Sequence, residues 1–295
     1  MRVKPPPFRY HAPHSVEEAL ATLAEVATDG KVLAGGQSLL PILNMRLAAP
    51  KHLVDINRVT ELDYLTADPT GVRVGALARH ARMERDKEAF RVLPLLHETL
   101  RLVAHPVIRN RGTVVGSLVH ADPAGELTAV LALLGGSVVL RRYGDTERTV
   151  AAADFFRGPL ESDLQPGELA VEAFFPAPGG RTGLAVKELA RRHGDYAMCG
   201  LAVAVGLEGD DEISQVRAAY FAVGGTPIVL DLTEALAGST VDRADWPAAG
   251  RFAMERVHTE DDLHATAEYR GQLIGVLTAR AVRTAARRAK GVQAA

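Results

Sequence analysis

Cysteine is nearly missing: Cys199 is the only one in 295 residues. A single thiol excludes an internal disulfide and any cysteine-based zinc site, and it cannot supply the four thiolates of an ordinary iron–sulfur cluster. An excess of one charge is missing too. Lys and Arg number 34 against 36 Asp and Glu, a formal net charge of -2 with no long block of either sign. Neither a nucleic-acid partner nor an anionic membrane surface is indicated. The longest apolar run, LAVAVGL from Leu201, falls far short of the ~20 residues that span a bilayer. The start, MRVKPPPFRY, puts three prolines where a secretion signal needs an apolar stretch. The expectation is a cytoplasmic protein without membrane insertion.

Familiar motifs are lacking as well. Neither GxGxxG nor GxxxxGK[ST] occurs, which argues against a Rossmann or P-loop nucleotide site. No GxSxG elbow or HExxH pair is present, and the ten histidines show no ligand spacing, so no metal site is expected. Most of the histidines read as surface or satisfied core residues, and Glu61 and Asp63 in TELDYL as part of a strand-entry loop.

What is present is a chain 47% hydrophobic, able to bury a large core and long enough for roughly two domains. Ser15 and Glu18 make a capping box ahead of VEEALATLAEV, whose Val16, Leu20, Leu23 and Ala27 share a helical face, and Asp29-Gly30 supplies a stop. Strands are readable at KVLAG, HLVDI and GVRVGALA, the last entered through the turn ADPTG. A helix from Met83 to Val103 should break near Pro94, and Asp122 should cap a helix whose first residue is Pro123. Strands follow at SVVLRRY and ELAVEAFFP. This first part reads as α/β.

The cluster PAPGGRTG, Pro176 to Gly183, places the boundary. The expected division is a first domain over residues 1–176, a linker over 177–182 and a second domain over 183–291. The second reads as α+β: a hairpin of long strands around GDDE, then a capped helical region whose Ala/Arg-rich end should be exposed.

Two stretches share one physical design, an extended segment, then small residues with a hydroxyl, then a helix. They are AGGQS (Ala34, Gly35, Gly36, Gln37, Ser38) and TVVGS (Thr113, Val114, Val115, Gly116, Ser117). Absent Cβ atoms let backbone N–H groups approach a diphosphate, hydroxyls add donors, and a helix start favours negative charge. A dinucleotide's pyrophosphate would fit such a pair. Each turn alone also fits an ordinary tight turn.

These residues carry a resemblance. VLAGGQSLLPILNMRLAAPKHLVDI followed by HPVIRNRGTVVGSLVHADPAGEL resembles the FAD-binding (medium) subunit of molybdenum hydroxylases, the carbon monoxide dehydrogenase and xanthine dehydrogenase family. The likeness runs from FRYHAP through GALARHARME to AVKELARRHGDYAM and the hairpin region. It implies an α+β protein: an FAD-binding domain of the vanillyl-alcohol-oxidase (PCMH) type, made of two α/β subdomains, and a C-terminal α+β domain of the CO dehydrogenase flavoprotein type. It implies non-covalent FAD held by the two turns, with Glu126, Leu169, Lys187 and Tyr196 as further contacts and no catalytic residue of the chain's own. Where the family usually writes TVGGS this chain has Val115, so the backbone there must keep an ordinary φ, and glycine should be tolerated at that position.

By the same resemblance the chain is one subunit of an assembly, a dimer of heterotrimers. A large molybdenum-pterin subunit and a small subunit with [2Fe-2S] clusters are the partners, and electrons pass from the clusters to FAD and on to an external acceptor: NAD, a quinone, oxygen or another carrier. Two other readings stay open on the sequence: a stand-alone FAD-dependent oxidase or reductase of the same fold, and a non-redox dinucleotide-binding module.

Overall fold

Sheets form in chain order, and the computed structural model describes residues 4–144 and 147–291. The first sheet is small and parallel. β1 (Arg9–His11), β2 (Gly30–Leu33) and β3 (His52–Asp55) lie in the order β1-β3-β2. Parallel neighbours require crossovers, which include α1 (Val16–Val26) and α2 (Leu39–Asn44). Ser15 Oγ accepts the Glu18 N–H at 3.1 Å, as the capping box demands. The Glu18 carboxylate reaches one residue further back, to the His14 N–H at 2.8 Å. The helix ends at Val26, ahead of Asp29-Gly30: a 3-10 turn covers Ala27–Asp29, and Gly30 opens β2 instead of closing the helix.

The second part begins with the hairpin of β4 (Leu65–Asp68) and β5 (Gly71–Gly75), whose turn is closed by the Asp68 carboxylate accepting the Thr70 N–H at 2.7 Å. Six helices follow: α3 (His80–Arg85), α4 (Lys87–Val92), α5 (Pro94–Leu102), α6 (Pro106–Arg109), α7 (Val114–His120) and α8 (Glu126–Leu134). Pro94 starts α5, in line with the expected break. A second break falls at Asp86, because its carboxylate accepts the Ala89 N–H at 2.9 Å and caps α4. Then come β6 (Ser137–Arg142), β7 (Arg148–Ala151), α9 (Ala152–Phe155), the short ribbon of β8 (Phe156–Gly158) and β9 (Glu161–Ser162), and β10 (Glu168–Pro176). The larger sheet is antiparallel throughout, in the order β4-β5-β10-β6-β7, so β10 runs through its centre.

Beyond Pro176 the chain enters a four-stranded antiparallel meander, β11 (Arg181–Ala190), β12 (Ala197–Glu208), β13 (Glu212–Phe221) and β14 (Ile228–Asp231), followed by α10 (Trp246–Arg256) and α11 (Ala267–Ala289). Both faces of this sheet are covered. Leu184, Val186, Ala202, Ala219 and Phe221 join one core with α8 and the preceding part, while Ala185, Leu201, Val203, Val205 and Tyr220 join another with α10 and α11. Burial on both faces explains why β12 reads as an unbroken apolar run and shows no polar alternation. The Ala/Arg-rich end, expected to be exposed, is packed. Ala281, Val282, Ala285 and Ala286 are buried, and Arg288 donates to the Leu184 carbonyl at 2.7 Å and pairs with Glu98 at 2.9 Å. Small side chains let α11 lie close against β11.

No helix among the described residues is long and apolar enough to cross a membrane.

Candidate functional site

The chain leaves β2 at Ala34, whose carbonyl accepts an Asn57 Nδ2–H at 2.9 Å. Gly36 then takes φ 73°, a left-handed angle that glycine adopts without strain. The Gln37 side chain closes the turn by donating to the Gly35 carbonyl at 3.0 Å. A Cβ on Gly35 would sit 2.6 Å from the Arg111 carbonyl oxygen and 2.8 Å from Gly112 Cα. The small residue is therefore required first by protein: the two turns press backbone to backbone, and that contact sets their separation.

In the second turn Thr113 caps α7, its Oγ1 accepting the Gly116 N–H at 3.2 Å. Val115 is the second residue of that helix, has no positive φ and is buried, so the departure from TVGGS is absorbed by ordinary helical geometry. The hydroxyls here are already engaged. Thr113 serves as the cap, and Ser117 Oγ lies 3.0 Å from His80 Nε2. Among the described residues, the N–H groups of Gly35, Gly36, Gln37, Ser38 and Leu39, and that of Val115, donate to no protein acceptor. Such groups are available to an acceptor in the cavity, and the turn of 35–39 gathers five of them.

These donors face a cavity of about 570 Å³, within the range of small-molecule sites. Ala34, Gly35, Gly36, Gln37, Ser38, Thr113, Val115, Gly116, Ser117, Glu126, Leu169 and Tyr196 all line it. Val114 and Lys187 do not. Val114 is buried behind the second turn, and Lys187 is exposed on β11, a strand and not the solvated helix that KELARR suggests. Leu169 lines the wall from β10, and Tyr196, 68% exposed, stands at the rim on the segment between β11 and β12.

α8 starts at Glu126, three residues later than expected. The Asp122 carboxylate does not cap a helix at Pro123; it accepts the Ala124 N–H at 2.9 Å, and a turn closed by Gly125 N–H to the Asp122 carbonyl occupies 122–125. Glu126 thereby becomes the first helical residue, inside the cavity wall. Desolvation pushes its carboxyl up to about 8, with the charges of Glu188 and Asp122 adding to the shift. Glu188, on the β11 face that carries Leu184 and Val186, is pushed by burial up to about 7, and its Oε2 is buried without a partner. Desolvation also raises the Tyr196 phenol, with Asp122 and Glu126 acting in the same direction.

Among the described residues no arginine lines the cavity, and the one cation there is Lys31. Arg109 is 6% exposed, pairs with Glu84 at 2.9 Å and donates to the Val103 and Ala104 carbonyls. Its work is to hold the loop before α6. The sequence reading also passed over His80, a cavity residue only 2% exposed, whose Nδ1 has no partner. Burial drives its pKa down to about 4, the Thr113 backbone opposing and Arg109 and Arg79 assisting. Its signal in the sequence was faint, a histidine opening a helix after GALAR. The donor set suits an anionic dinucleotide: a diphosphate held by N–H dipoles, with apolar walls for flat rings.

Comparison with known proteins agrees with this chemistry. Residues 6–178 match the family described as the FAD binding domain in molybdopterin dehydrogenase, and residues 184–285 match the CO dehydrogenase flavoprotein C-terminal domain. The chain is 40% identical over 288 residues to caffeine dehydrogenase subunit beta from Pseudomonas sp. (strain CBB1), covering 97% of each. It is 35% identical over 282 residues to the carbon monoxide dehydrogenase medium chain of Hydrogenophaga pseudoflava, covering 95% of this chain and 98% of that one. A chain of the crystal structure of quinoline 2-oxidoreductase from Pseudomonas putida 86 superimposes with TM-score 0.90 at 34% identity, over 97% of this chain and 99% of that one.

Proposed function

The chain belongs to the FAD-binding medium subunits of molybdenum-containing dehydrogenases of the carbon monoxide dehydrogenase and xanthine dehydrogenase type, and from that premise we propose that it is the electron-transfer subunit of such a complex, with FAD bound non-covalently in the cavity between its two glycine turns. The observation that carries this reading is the run of five unpartnered N–H groups from Gly35 to Leu39, facing a second turn whose Val115 N–H is also free.

In this reading the N–H groups of 35–39 and 115, with the Ser38 hydroxyl, hold the diphosphate. With no arginine in the wall among the described residues, backbone dipoles supply the positive potential. Glu126 stays protonated near neutral pH, so it offers an O–H donor to a cofactor oxygen and adds no negative charge beside the phosphates. Leu169 excludes water from one wall, and Tyr196 presents a ring at the mouth. When bound, FAD supplies the one- and two-electron redox chemistry that the amino acids lack. The proposed division is an FAD-binding unit over 1–176 and a C-terminal unit over 183–291, joined by 177–182.

A chain with one cysteine cannot carry iron–sulfur clusters. The proposed partners are therefore a small [2Fe-2S] subunit that delivers electrons and a large molybdenum-pterin subunit that oxidises the substrate, arranged as a dimer of heterotrimers in the cytoplasm, with electrons leaving to an external acceptor. To test the cofactor assignment, the purified chain is denatured and the released flavin chromatographed. FAD is expected; FMN alone, or no flavin after incubation with excess FAD, sinks the proposal.

A further inference from the structure

His80 has no part in the reading above, yet it sits in the cavity wall between the two turns. Its ring is 2% exposed, with Nε2 3.0 Å from Ser117 Oγ and Nδ1 buried without a partner. A Cβ on Gly112 would lie 2.9 Å from Nδ1, so backbone seals that edge of the ring. Burial keeps the imidazole neutral at ordinary pH, which leaves one ring proton to place.

With the proton on Nδ1, a buried N–H would make no hydrogen bond of good geometry, and Ser117 would spend its own proton on Nε2. With the proton on Nε2, the ring donates to Ser117 Oγ, the bare atom is only a lone pair, and the Ser117 proton is free to turn into the cavity. An orphaned buried N–H is the rarer and costlier defect. We propose that His80 is a positioning residue: donating from Nε2 to Ser117 Oγ, it turns the Ser117 hydroxyl into a fixed hydrogen-bond donor aimed at the anionic part of the bound dinucleotide.

This inference rests on the FAD reading and adds to it a donor that the second turn otherwise lacks, since Thr113 is occupied as a cap. The full-length chain is stripped of flavin and FAD affinity is read from fluorescence quenching. Ser117→Ala and His80→Leu should each weaken binding about tenfold or more, the size of a hydrogen bond to a charged group. His80→Leu placed in the Ser117→Ala background should weaken it no further, because the histidine acts only through the serine. His80→Gln, whose amide keeps a donor, should stay within about threefold of wild type. Additive losses, or full affinity in His80→Leu, overturn the proposal. Should His80→Leu not fold, nitrogen NMR of histidine-labelled wild type decides: the Nε2–H tautomer supports the assignment and the Nδ1–H tautomer overturns it. If stripped wild type binds no FAD, the cofactor reading fails, and the tautomer still tests the His80–Ser117 pair by itself.

Discussion

At Gly35 and Gly116 similar motifs are small for different reasons. A side chain at 35 would drive the two turns apart through the Arg111 carbonyl, whereas one at 116 would meet Thr113 Oγ1 at 2.5 Å and dislodge a helix cap. Gly35→Val should therefore abolish stoichiometric FAD. Gly116→Val should cost about 1 kcal/mol of stability through the lost cap, with a smaller loss of flavin. Flavin content and urea unfolding, measured on both, separate the two effects, and full flavin in Gly35→Val would mean that the turns do not hold the phosphates. Val115→Gly, harmless on the motif alone, should destabilise by about 2–3 kcal/mol, because it removes a buried side chain and puts glycine in a helix. Glu126 and Glu188 have folded pKa values raised above the ordinary 4.5, so the apo fold keeps protons that the unfolded chain releases. Their contribution is full below about 4.5 and is lost as pH climbs through about 7 and about 8. His80, with a depressed pKa, works against stability only on the acid side, as pH falls toward about 4. The urea midpoint of the apo chain should thus fall from about pH 6 to about pH 9, and Glu126→Gln should flatten that slope; an unchanged slope would mean that Glu126 is ionised in the fold.

Where α10 crosses α11 there is no room at Gly250 for a Cβ, which would lie 2.3 Å from the Gly275 carbonyl oxygen. Gly250→Leu should force the helices apart at about 1–3 kcal/mol, read as a lower urea midpoint with the flavin retained. The helices VEEALATLAEV and Ala267–Ala289, the GDDE hairpin and the strands KVLAG and HLVDI were legible because capping, period and turn chemistry agree there. The start of α8 was not. Asp122-Pro123 is as good a cap and first residue by sequence as any, and the competing local turn that takes the Ala124 N–H shows only in coordinates. The strand carrying Lys187 was hidden for a similar reason, since KELARR has helical charge spacing and only pairing with β12 fixes it as extended. The site residues next to glycine could be found from their chemistry. His80 and Glu188 could not, because their importance lies in what fails to reach them.

On the scale of the whole molecule, this chain holds no metal cluster of His, Cys, Asp and Glu among its described residues, and its one thiol is buried with a pKa pushed up to about 12. Cys199 should accordingly resist thiol reagents until the protein is unfolded. The flavin-loaded chain alone should be bleached by dithionite but not, under anaerobic conditions, by aldehydes, N-heterocycles or carbon monoxide. Adding the molybdenum and iron–sulfur partners should let substrate bleach it. Direct flavin reduction by any of those substrates without partners would favour a stand-alone flavoenzyme. The cavity is itself composite: its two glycine turns belong to the stretch that matches one family and its lip, Gly194 to Tyr196, to the segment just inside the other. A hybrid gene joining the first part of this chain to the second part of a relative would inherit both glycine turns unchanged and a foreign threshold at the door, so that descent can tune access to the cavity while leaving its floor alone.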